Sequence, residues 1–136
     1  MLLWGSLCHH VKQGGQPASS HLRCGFPDAY YVRLRERYQA RRDLLFSQVE
    51  AAGFVAWKPK GAYYILTDAA HFMKQHGCED DTAFAMFLVK EIGVATVPGS
   101  SFYAHPDLGR TKIRFCFPKT DDMLIEAGRR LQKLAR

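Results

Sequence analysis

Long hydrophobic runs are missing from this sequence. No stretch approaches the roughly 18 consecutive apolar residues a membrane-crossing helix needs, and the run from Phe84 to Val89 is far too short. No membrane partner is expected. Cysteine is scarce: Cys8, Cys24, Cys78 and Cys116 show no C-x-x-C spacing, which favours reduced thiols in a cytoplasmic protein over a disulfide framework. His9, His10 and His21 lack a second Cys/His pair at ligand spacing, so they read as solvated residues and no metal is expected. The apolar start Met1 to Cys8 has no basic n-region, which argues against a signal peptide. Acidic residues are outnumbered, 13 against 19 lysines and arginines, for a formal charge of +6. That excess could draw anions. The arginines are dispersed around Glu36, Asp43 and Glu50, however, and no nucleic-acid motif accompanies them, so no nucleic-acid partner is expected.

What remains has the make-up of one ordinary domain, 47% hydrophobic and 24% charged, with no internal repeat. Residues 1–25 combine Gly14-Gly15, Pro17 and Ser19-Ser20 without a hydrophobic period and read as a disordered or non-homologous leader. From Pro27 the pattern changes. Tyr31, Leu34, Tyr38, Leu45, Val49 and Ala52 recur at helical spacing, which predicts a long amphipathic helix with Asp28 in its first turn and Gly53 just past its end. Residues 54–57 and 62–66 read as strands joined by Lys58-Pro59-Lys60-Gly61, a hairpin. Thr67-Asp68 would cap a short helix, and Asp80-Asp81 would open a firmer one carrying Phe84, Phe87 and Leu88. Strands over 94–97 and 111–117 follow, and a helix from about Asp121 places Leu124, Ala127, Leu131 and Leu134 on one stripe. This order predicts an α/β fold, more narrowly an α+β two-layer unit over 26–136: a small mixed sheet of about four strands covered by helices.

Within the last strand, Ile113, Phe115 and Phe117 alternate with Lys112, Arg114 and Cys116. A guanidinium presents paired donors that match a carboxylate, so a mid-strand arginine facing a cleft suits recognition of an acid. Taken alone, the strand favours the plainer reading, an arginine on a solvated sheet face paired with a helix carboxylate. Pro98-Gly99-Ser100-Ser101-Phe102 combines glycine, hydroxyls and an aromatic after a strand, a composition that allows close approach to a small polar ligand but also occurs in loops that bind nothing. His71, His76 and His105 have no evident nucleophile partner.

Several segments, in order, carry a family resemblance. They are Tyr30-Tyr31 with Tyr38 and Arg41-Arg42-Asp43-Leu44-Leu45, then residues 58–64 (KPKGAYY), residues 93–102 (GVATVPGSSF), and residues 112–117 (KIRFCF). Together they resemble the C-terminal small domain of pyridoxal-phosphate-dependent class I/II aminotransferases of the aspartate, methionine or kynurenine type. The resemblance implies that Arg114 binds the α-carboxylate of an amino acid or 2-oxo acid. It places Gly61, Ala62 and Tyr63 near the substrate, and Ser100, Ser101 and Phe102 at the mouth of the pocket.

The resemblance also marks what is missing. The family's Schiff-base lysine lies further upstream of the arginine than this sequence extends, and none of the eight lysines stands in the family's Ser-x-x-Lys context. No catalytic or cofactor-binding residue is therefore assigned. The expectation is a fragment of a longer or split gene product, inactive alone, holding pyridoxal 5'-phosphate at best unstably, and completed by a large domain or a homodimer partner. The alternative is a non-catalytic docking partner of a separate large domain.

Overall fold

A computed structural model describes residues 27–135. Helix α1, Asp28–Ala51, follows Pro27, whose fixed φ and lack of an N–H suit a helix start; Asp28 contributes charge to the first turn. Gly53 takes φ +95 beyond its end, a conformation that favours glycine. The apolar stripe expected along all of α1 is buried only in its second half, at Leu45 and Val49. In the first half Tyr38 reaches the core, its ring centroid 6.2 Å from that of Phe117, while Leu34 is exposed. Periodicity reports which face is apolar, not whether a neighbour covers it.

Strands β1 (Val55–Trp57) and β2 (Tyr64–Asp68) form the expected antiparallel hairpin, but its connection is longer than the four-residue turn read from the sequence. It runs through Ala62, which adopts φ +64. The connection is tied to α1: Arg42 Nη1 donates to the Pro59 carbonyl at 3.2 Å, and Lys58 pairs with Asp43 at 3.0 Å. Thr67 and Asp68 belong to β2. Asp68 Oδ1 nonetheless accepts from Ala70 N at 2.9 Å, at the start of α2, Ala70–Gln75.

Helix α3, Asp81–Phe87, is capped as expected, with Asp80 Oδ1 accepting from Ala83 N at 2.7 Å. It runs on into a π-helical turn, Leu88–Ile92, which stops at Gly93 with φ +76. Strand β3 is only Val97–Pro98, shorter than expected. Val94 is drawn back toward the helix instead, its N–H donating to Leu88 O at 3.0 Å. After two short 3-10 turns, Gly99–Phe102 and Pro106–Gly109, come β4 (Lys112–Cys116) and α4 (Asp121–Leu131).

The sheet has the order β1-β2-β4-β3, and every pairing is antiparallel. The expectation of a mixed sheet is thereby corrected: element order does not specify strand direction. Ile65, Ile113 and Phe115 share one core with Leu45 and Val49 of α1, Phe84 of α3 and Leu124 of α4. Helices and sheet thus form the two-layer α/β arrangement read from the sequence. The opposite sheet face, bearing Arg114, is left without a helical layer among the described residues.

Candidate functional site

Strand register builds the site. Trp57 pairs with Leu66, Leu66 with Arg114, and Arg114 with Val97, so these four side chains form one row across the face opposite the core. Arg114 is not solvated there: it is 7% exposed. Its burial comes from two aromatic rings. The guanidinium carbon lies 3.6 Å from the centroid of Tyr64 and 3.6 Å from that of Phe102. Such contacts favour a cation by about 0.5–2 kcal/mol each.

No carboxylate among the described residues pairs with this cation, and its Nε is buried without a hydrogen-bond partner. Buried charges in proteins are ordinarily paired. With two rings this close to its carbon, the guanidinium is most open to hydrogen bonds in its own plane, the direction from which a carboxylate is held bidentately.

The partner Phe102 is positioned by close packing. A Cβ on Gly109 would stand 2.5 Å from Ser100 N, and one on Gly99 would stand 2.6 Å from Lys112 O. Only glycine permits that approach between the two turns. Asp81, buried at the first turn of α3, accepts from Ser100 N at 2.7 Å and pins the same turn.

Of the site residues read from the sequence, Arg114 and Phe102 are in contact. Tyr63 is exposed beside Tyr64, with ring centroids 5.6 Å apart, and its carbonyl accepts from Phe117 N at 3.1 Å. Gly61 sits in the open loop, where an added Cβ would meet nothing within 4 Å, and Ser101 is exposed. The rings against the guanidinium are those of Tyr64 and Phe102 instead. Tyr64 escaped the sequence reading. The available signal was its place on the strand next to Tyr63, facing the side opposite Ile65. A cavity of 340 Å³ lies elsewhere, between α1, α4 and the end of β4, and includes neither Arg114 nor its two rings in its lining.

The lysine on this face of β4 is already engaged. Lys112, two residues before Arg114 on the same strand face, pairs with Asp68 at 3.5 Å and lies over Trp57 at 5.0 Å. Among the described residues no cluster of His, Cys, Asp or Glu could hold a metal. No helix among them is long and apolar enough to cross a membrane.

The family profile described as "Aminotransferase class I and II" matches residues 9–131, beginning within the segment expected to be an unrelated leader. That segment lies outside the described residues apart from its homology. Among curated relatives, kynurenine--oxoglutarate transaminase 1 of Rattus norvegicus is 29% identical over 119 residues, 80% of this chain and 28% of the relative. The probable N-succinyldiaminopimelate aminotransferase DapC of Mycobacterium tuberculosis is 35% identical over 129 residues, 88% of this chain and 31% of the relative. The solved N-succinyldiaminopimelate aminotransferase from Mycobacterium tuberculosis superposes with a TM-score of 0.70 at 36% identity, over 79% of this chain and 27% of that one. Aspartate aminotransferase from Thermus thermophilus with maleate gives 0.65 at 30% identity, over 78% and 25%. The chain spans under a third of the length of each of these relatives.

The family's cofactor is pyridoxal 5'-phosphate; Lys112, the lysine on the Arg114 face of β4, is paired with Asp68 and lies over Trp57. Matched across nearly its whole length, the chain belongs to the class I and II aminotransferases and corresponds to a part of such a protein.

Proposed function

We propose that this chain is the substrate-carboxylate-binding portion of a pyridoxal-phosphate-dependent aminotransferase, whose whole protein moves an amino group between an amino acid and a 2-oxo acid. Arg114 holds the α-carboxylate. The observation that carries this reading is a buried guanidinium against two aromatic rings with no acid among the described residues paired to it. An unpaired buried cation is costly in a folded protein and suits a site that an anion completes. Tyr63, Gly61 and Ser101 border the approach and would meet the rest of the substrate rather than its carboxylate.

The test is an NMR titration of the chain with propionate and, as the uncharged isostere, propionamide. Propionate is expected to shift the Arg114 side-chain resonances and propionamide to leave them in place, with Arg114→Lys abolishing the response. Equal responses to the two compounds would remove the carboxylate role. The chain alone is inactive on this reading. Mixed with pyridoxal phosphate it should develop no lysine-dependent absorbance band, and the appearance of one would overturn that part.

A second reading, a non-catalytic partner that docks on a separate large domain, is favoured by the apolar rim of the Arg114 face, where Val55 and Trp57 are exposed. Gel filtration with and without a full-length homologue separates the two: co-elution supports docking, and separate elution at micromolar concentration counts against it.

A further inference from the structure

The resting geometry of Arg114 raises a question the carboxylate reading does not answer. A free arginine side chain samples many rotamers, and ordering it when a ligand arrives costs affinity. Here the guanidinium carbon lies 3.6 Å from the centroid of each of two rings, contacts that come from the protein's own side chains. The two rings come from different elements, Tyr64 from β2 and Phe102 from the 3-10 turn after β3.

We infer that Tyr64 and Phe102 are positioning residues that form a two-sided clamp, holding the Arg114 guanidinium flat and dry before substrate arrives so that only its in-plane edge receives the carboxylate. This deepens the function proposed above and rests on it.

Three features support the clamp. Phe102 is 55% exposed although it covers a buried cation, so its ring serves the contact more than the core. Its turn is held from two sides, by the Asp81 carboxylate on Ser100 N and by the glycine contact with the turn ending at Gly109. That anchoring spends packing precision on a half-exposed ring. The neighbouring cation, Lys112, is held differently, by one ring and one carboxylate, which leaves it neutralised. Arg114 alone is fixed by uncharged groups, and its charge stays free for a ligand.

The order in the clamp does not depend on ligand, so the experiment has two arms on the purified chain. The first measures ¹⁵N relaxation of Arg114 Nε without ligand. Wild type is expected to be as ordered as the backbone, and Phe102→Leu and Tyr64→Leu to release it to the mobility of the exposed arginines of α1. Phe102→Tyr and Tyr64→Phe should restore order, a rescue that a role in bulk packing would not require of a half-exposed ring. A mobile Arg114 in wild type, or an ordered one in both leucine variants, overturns the clamp.

The second arm titrates propionate. Each leucine variant should bind about fivefold more weakly, the factor that corresponds to re-ordering one long side chain at about 1 kcal/mol. Unchanged affinity in both leucine variants overturns the clamp while leaving the carboxylate reading intact. Loss of propionate binding in wild type with an ordered Nε removes the carboxylate reading and with it the role assigned to the clamp. Phe102→Leu, at an exposed position, guards against a folding defect in Tyr64→Leu.

Discussion

Arg114 is held where a cation is costly, and the cost can be read as a stability prediction. Two ring contacts return about 0.5–2 kcal/mol each, whereas an unpaired buried charge costs several kcal/mol. Replacement by an apolar side chain of similar length should therefore not destabilise the fold. Arg114→Met is expected to melt at or above the wild-type temperature while losing the propionate response, and thermal denaturation monitored by circular dichroism checks it. A drop of several degrees would mean that the guanidinium supports the fold and is not there for a ligand. A different residue-scale prediction concerns Glu126 on α4. Hydrogen bonds from Arg129 first, then Arg130, bring its carboxyl from 4.5 down to about 2. A depressed folded-state value gives stability that is present above the ordinary carboxylate pKa and fades as pH falls toward 2. Because the group is solvent-exposed the effect is small. The melting temperatures of wild type and Glu126→Gln should differ slightly near pH 6 and converge near pH 2. Of the site at this scale, Arg114 was legible because an arginine in an alternating strand is conspicuous. Tyr64 was not, since its meeting with Arg114 depends on cross-strand register, which a linear reading does not contain.

Elements were more legible at their ends than in their extent. Asp80 announced α3, and Gly53 and Gly93 marked stops, because caps and positive φ are local chemistry. The length of β3 and the burial of α1 depend on distant neighbours and could not be read that way. The close contact of the turn Gly99–Phe102 with the turn Pro106–Gly109 also lay beyond the sequence, although both glycines were in plain view. Its consequence is testable. In Gly109→Ala the new methyl meets backbone atoms at 2.5–2.6 Å, and backbone cannot rotate away as a side-chain tip can. The variant is expected to lose about 1–3 kcal/mol in urea unfolding. It should also free the Arg114 guanidinium by displacing Phe102. Gly128 on α4 offers a contrast in the helical layer. Alanine there gains about 1 kcal/mol of helix propensity, yet its methyl would meet Gln48 Cβ of α1 at 2.7 Å, so the two helices must part. Overpacking wins, and Gly128→Ala should unfold at lower urea while leaving Arg114 order untouched. A loss at Gly128 accompanied by a mobile Arg114 would mean that the site senses helix packing as a whole.

On the scale of the whole molecule, the sheet has one face filled by helices and one face bare among the described residues. Val55 and Trp57, at 64% and 47% exposure, stand on the edge strand beside the row that holds Arg114. The fold class and the family were legible in the sequence because core periodicity and ordered motifs are spread along the chain. What covers the bare face was not, since periodicity reports which face is apolar and not what packs on it. Burying a large apolar side chain returns about 1.5–3 kcal/mol, while association of two molecules costs about 4–15 kcal/mol. A few exposed residues therefore cannot hold a tight dimer, but they can drive weak association at high concentration. Gel filtration of the chain over a wide concentration range should show elution moving toward larger species as concentration rises. The double variant Val55→Lys/Trp57→Lys should stay monomeric at every concentration, with its urea unfolding midpoint lowered only slightly: neither side chain belongs to the core, but Trp57→Lys removes the ring over which Lys112 lies. Identical association of the two proteins would place the contact elsewhere. The first half of α1, where Val32 and Leu34 are exposed between arginines, would then be the surface to substitute next.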